Sequence, residues 1–135
     1  MGTVALKTLA EETGGELIGA SVSLSKLALD SRHVGMGDLF AAIKGSRVDG
    51  HDYAVDALSA GAAALLTQRK LEGITPQLVV PSITSATGRF GYLKRRAFNG
   101  DIVAITGSAG KTTTKNLLGA ALTPLGAVHA TSGNQ

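Results

Sequence analysis

Cysteine is absent from the 135 residues, which excludes a disulfide framework, a thiolate metal site and a cysteine nucleophile. Long apolar runs are absent as well. One of the longest, Gly61-Ala62-Ala63-Ala64-Leu65-Leu66, is far short of the roughly 20 residues of a membrane span, so no span is expected. The opening stretch MGTVALKTLAEETGG has no basic segment leading into a long apolar one, so no signal peptide is read and a reduced, cytoplasmic setting is the expectation. There is no internal repeat and no low-complexity tract. What the chain does have is apolar content, 44% by count, enough for a core and enough to exclude general disorder.

Net charge is +3, but it is unevenly spread. Residues 1–67 carry 5 Lys/Arg against 8 Asp/Glu, and residues 68–135 carry 8 against 2. A basic half suggests an anionic partner, either a nucleic acid or a phosphorylated small molecule.

Apolar periodicity and turn residues predict alternating strands and helices, the pattern of an α/β fold. Thr3 is a plausible N-cap for a helix bearing Leu6, Leu9 and Ala10, stopped by Gly14-Gly15. Strands are expected around Leu17, Val22 and Leu24, then at 39–43, 63–66 and 77–80, with helices at 52–60 and 84–97. Asn99-Gly100 marks a boundary, giving domains 1–98 and 99–135. Residues 102–105, Ile-Val-Ala-Ile, read as a strand buried on both faces. A glycine loop, a helix at 111–122 and a second strand at 127–130 follow. The stretch after residue 98 holds too few βα units for a nucleotide-binding domain, so the second domain reads as truncated.

The glycine loop is Thr106-Gly107-Ser108-Ala109-Gly110-Lys111-Thr112-Thr113. Small residues let backbone N–H groups converge on a phosphate, and the helix N-terminus adds unpaired donors and a positive dipole end. Lys111 suits the β- and γ-phosphates, and the Thr112 hydroxyl suits Mg²⁺. The general pattern G-x-x-x-x-G-K-[ST] asks for glycine where this chain has Ile105; here the spacing is the shorter G-x-x-G-K-T. The alternative is an ordinary glycine-rich turn with a solvated lysine.

Two polar loops stand out in the first half. In Asp30-Ser31-Arg32, Arg32 is able to grip a phosphate with both arms or to pair with Asp30 or Asp38. Lys44-Gly45 and Asp49-Gly50-His51 form a second cluster, suited to a polar ligand but without the ligand spacing of a metal site. Arg89, Lys94, Arg95 and Arg96 crowd one helix, with only Phe90, Tyr92 and Phe98 as aromatic company. That reads as a solvated face, and no nucleic-acid module or partner is expected.

Together these segments resemble the Mur ligases of bacterial cell-wall synthesis. Residues 27–66, LALDSRHVGMGDLFAAIKGSRVDGHDYAVDALSAGAAALL, resemble the family's amino-terminal domain, with D-S-R, G-D-L-F-x-A and D-G-H in order. Residues 103–115, VAITGSAGKTTTK, resemble the start of its central ATPase domain, where the shorter T-G-x-x-G-K-T loop is normal. The resemblance implies a small mixed-sheet domain followed by the first βα unit of a P-loop domain, ATP and Mg²⁺ as cofactors, and amide formation through an acyl phosphate. It implies that Thr106 to Thr113 bind nucleotide, with Lys111 catalytic. Asp30, Ser31, Arg32, Lys44, Gly45, Asp49, Gly50, His51 and Asn134 would face a UDP-N-acetylmuramoyl-peptide. Ser108-Ala109 in the loop, Lys115 and Thr131-Ser132-Gly133-Asn134 favour D-alanyl-D-alanine as the incoming amine. The alternatives are the sister activity that adds the third amino acid, and a non-catalytic UDP-sugar-binding module. A monomer is expected, and the chain by itself is expected to lack ligase turnover.

Overall fold

A computed structural model describes residues 2–132, in two units, Met1–Asn99 and Gly100–Gln135. The first unit runs β1 (Val4–Ala5), α1 (Leu6–Thr13), β2 (Glu16–Ile18), β3 (Ser23–Leu24), β4 (Leu27–Ala28), β5 (Leu39–Ala41), α2 (Ala54–Ser59), β6 (Ala64–Thr67), β7 (Gln77–Val79) and α3 (Ile83–Ala97). Five strands form a mixed sheet in the order β2-β7-β6-β5-β4. Strands β4 to β7 run parallel, and β2 joins the edge antiparallel to β7. β1 and β3 make a separate antiparallel pair.

Side-chain alternation explains why the sheet is covered on both faces. Leu39 and Ala41 point to one side, where Leu66 and Leu78 meet Leu6 and Leu9 of α1 and Phe90 of α3. Phe40 and Ala42 point to the other, where Leu65 meets Ala54 and Ala57 of α2. The short apolar runs are therefore strands, each split between two cores.

Three expectations are corrected. Thr3 does not cap the first helix. Val4–Ala5 is taken up by pairing with Ser23–Leu24, so the helix begins at Leu6 with Ala5 in the N-cap position. Its N-terminal donors are met from later in the chain: the Leu6 N–H donates to the Val22 carbonyl at 2.8 Å and the Lys7 N–H to Ser21 Oγ at 3.0 Å. Lys94 is not simply part of a solvated face, because its ammonium donates to the carbonyls of Gly2 and Ser25. The third correction concerns the second unit. There, α4 (Lys111–Leu122) forms as expected, but neither 102–105 nor 127–130 is a strand. Ile102 and Val103 are exposed. A strand of a parallel sheet is fixed by ladder partners and by helices over its faces; the described residues of this unit include no strand to pair with.

Candidate functional site

Two loops leave the carboxyl ends of the parallel strands β4 and β5, the end of an α/β sheet at which ligands bind. Between them lies a cleft of about 420 Å³. Asp30, Ser31 and Arg32 come from the first loop, and Gly45 and Gly50 from the second. The apolar lining is Leu29, Phe40, Ile43, Val48 and Tyr53. Polar groups on one side and an apolar bed on the other suit a ligand with both a flat or aliphatic part and hydrogen-bonding edges.

In the first loop Asp30 organises a single 3₁₀ turn, Ser31–His33. Its Oδ1 accepts the Arg32 main-chain N–H at 2.9 Å and Arg32 Nε–H at 3.0 Å. Arg32 Nη2 donates to Oδ2 at 2.6 Å. These bonds hold the Asp30 carboxyl well below the usual carboxylate range, and the same carboxylate raises the guanidinium of Arg32.

The second loop is a small hairpin. Lys44 and Asp49 bridge antiparallel, the Gly45 N–H donates to the Val48 carbonyl, and the Gly50 N–H donates to the Ile43 carbonyl, each at 2.8 Å. Only glycine fits at position 50, since a Cβ there would lie 2.6 Å from both the nitrogen and the oxygen of Ile43. At the hairpin's base, Asp49 Oδ1 accepts the His51 N–H at 3.0 Å and meets His51 Nδ1 at 2.7 Å. Asp49 Oδ2 accepts from Arg69 Nη2 at 3.2 Å. Bonds from the His51 main chain and ring come first in lowering the Asp49 carboxyl, to about 2. His51 is buried, and its Nε2 accepts the Gln68 main-chain N–H at 3.1 Å.

The glycine loop belongs to the second unit. Gly110 adopts φ +76°, a left-handed conformation that turns the chain into α4. Among the described residues no side chain caps that helix, and the N–H groups of a helix's first turn find no partner within the helix itself. Lys111, the first helical residue, folds its ammonium back onto the Gly107 carbonyl. The arrangement fits a polyphosphate: small loop residues, a helix N-terminus and a lysine at its rim. For a divalent cation the Thr112 hydroxyl would be one ligand, and among the described residues no cluster of three His, Cys, Asp or Glu stands ready to hold a metal. Phosphate oxygens and water would complete the shell.

Residues 23–104 match the model described as Mur ligase family, catalytic domain. The chain belongs to the Mur ligase family. It is 40% identical over 132 residues to the UDP-N-acetylmuramoyl-tripeptide–D-alanyl-D-alanine ligase of Escherichia coli K12, covering 98% of this chain and 29% of the relative. Among solved structures, MurF from Acinetobacter baumannii superposes with a TM-score of 0.74 at 31% identity, over 91% of this chain and 28% of that one. MurF ligase from Thermotoga maritima, in complex with ADP, superposes with a TM-score of 0.59 at 38% identity, over 73% and 23%. The chain thus spans less than a third of the length of these relatives.

Within this Mur ligase chain, the cleft gathers Asp30, Ser31, Arg32, Gly45 and Gly50 in its wall. Lys44, Asp49 and His51 lie at the base of the hairpin and are not among the residues that line the cleft. Residues 106–113 form the glycine loop and first helical residues of the second unit, and Asn134 lies outside the described residues. Tyr53, Val48 and Arg69 were not singled out from sequence. Val48 lies within the polar stretch 45–51, but Arg69 reaches Asp49 across twenty positions, and its one sequence cue is that it closely follows a strand end.

Proposed function

We propose that residues 1–98 bind a UDP-N-acetylmuramoyl-tripeptide and that residues 99–135 begin an ATP-binding domain. The whole protein would be an ATP-dependent ligase that adds D-alanyl-D-alanine to that substrate. The observation that carries this reading is the 40% identity along 98% of the chain to a relative bearing that name. The cleft at the carboxyl ends of β4 and β5 supports it with room for the UDP end of that substrate, and the ADP complex of a relative supports the nucleotide.

In the proposed reaction the γ-phosphoryl of ATP passes to the terminal carboxylate of the tripeptide, releasing ADP and leaving an acyl phosphate. The amine of D-alanyl-D-alanine attacks the acyl carbon, the C–N bond forms, and phosphate departs with the electron pair of the broken C–O bond. Lys111 would neutralise charge on the transferring phosphoryl group, an electrostatic role. Backbone N–H groups of the loop would orient the phosphates, and Thr112 would supply an oxygen to Mg²⁺, which withdraws charge from them when bound. The Asp30-Ser31-Arg32 loop and the hairpin would hold the UDP-sugar end. The substrates are water-soluble, which fits action in the cytoplasm. Among the described residues no helix is long and apolar enough to cross a membrane.

The test is ADP release by the whole protein of which this chain is part. Release that requires both UDP-N-acetylmuramoyl-tripeptide and D-alanyl-D-alanine, and that Lys111→Ala abolishes, is the expected result. Release driven by the UDP-linked dipeptide and a single amino acid would overturn the assignment in favour of the sister activity. UDP-sugar binding with no nucleotide turnover would leave a binding module.

A further inference from the structure

We propose that Arg69, acting with His51, is a positioning residue for the cleft: together they latch the 43–50 hairpin that forms one of its walls. This rests on the reading of the cleft as the UDP-sugar site. The hairpin contributes Ile43, Gly45, Val48 and Gly50 to the wall, yet two such short arms have little stability of their own in water. Their position depends on what ties them down.

The tie runs to the neighbouring strand. A main-chain N–H only donates, so at His51 the acceptor is Nε2 and the ring proton sits on Nδ1, aimed at Asp49. The imidazole therefore joins the hairpin base to Gln68, the residue directly after β6. Arg69, one position further, closes the same connection from outside by donating to the second oxygen of Asp49. Asp49 thus accepts from its own loop and from the segment that follows β6, through both carboxylate oxygens. The Arg69 side chain is 58% exposed, so shortening it removes one fastening of the latch without opening the core. His51, by contrast, is buried and carries the other two.

The test uses this 135-residue chain, with UDP as the titrated probe and amide hydrogen exchange as the local readout. For Arg69→Ala we expect UDP affinity to fall by roughly threefold. Exchange at Gly45 and Gly50 should quicken, while the sheet amides of Leu65 and Val80 should hold. Arg69→Lys should recover part of both effects. His51→Phe, which keeps a ring but loses both nitrogens, should also deprotect the Gln68 amide. Unchanged affinity and unchanged hairpin exchange in Arg69→Ala would overturn the proposal, as would exchange rising equally across β6. Failure of the parent chain to bind UDP would instead overturn the reading of the cleft. The latch would then stand or fall on the exchange pattern alone.

Discussion

Arg32 closes a two-armed fork on Asp30, with Nη2 at 2.6 Å from Oδ2 and Nε at 3.0 Å from Oδ1. The fork presents the cleft with a fixed pair of opposite charges in which the guanidinium plane is already set. Lysine at position 32 keeps the charge but cannot reproduce the planar fork. Arg32→Lys is expected to weaken UDP binding by the chain, read by calorimetry. Its melting temperature should stay unchanged, since the Arg32 side chain is 83% exposed and exposed pairs contribute little to stability.

Acid should release the hairpin late. The Asp49 carboxyl titrates at about 2 in the folded chain, below its ordinary value of 3.8, chiefly because it accepts bonds from the main chain and ring of His51. A lowered value means the carboxylate binds its proton less readily when folded. Its contribution is fully present above pH 3.8 and is lost as the pH falls through about 2. Carbon-13 NMR of the Asp49 carboxyl should show a midpoint near that lower value, and a midpoint at 3.8 would break the account of the hairpin base.

Gly50→Ala should be costly although the residue is on a loop. The added methyl would fall 2.6 Å from two backbone atoms of Ile43, which are unable to rotate away. We expect a loss of about 2 kcal/mol in denaturant unfolding, in the range of overpacked sites, together with loss of UDP binding.

Gln77 is buried in β7 among apolar neighbours, and its amide serves the loop before it. Oε1 accepts the Leu71 N–H at 2.9 Å, and Nε2 donates to the carbonyls of Leu71 and Ile74. Gln77→Leu has nearly the same volume but strands all three backbone groups. A loss of about 2–3 kcal/mol is expected in the same unfolding experiment, well beyond what the apolar exchange alone predicts.

Much of the first unit was legible in sequence because its strands are short apolar runs bounded by turn residues. Leu39 to Ala41 and Ala64 to Leu66 needed no more than that. Two-residue strands carry no such period: β1 exists only because Ser23–Leu24 lies beside it, which is also why Thr3 failed as a cap. The apolar run at 102–105 shows the converse, a strand-like composition that forms no strand among the described residues. In the cleft, the Asp30-Ser31-Arg32 turn was visible as a cluster of polar residues, and its internal pairing is local. The Asp49 network was only half visible, since His51 is two residues away and Arg69 is twenty. Burial of His51, which turns a loop histidine into a strut, is a property of the fold and leaves no local mark.

The pairing of β2 with β7 has a consequence for synthesis. β2 leaves the ribosome well before β7 and must wait for it before its edge is filled. Until Gln77–Val79 emerges, the parallel strands can assemble while Leu17 and its neighbours stay unzipped, so closure of this domain is a late, non-local event and slow for its size. Any nascent chain arrested before β7 would present an open sheet edge, the kind of surface that chaperones bind and aggregates extend.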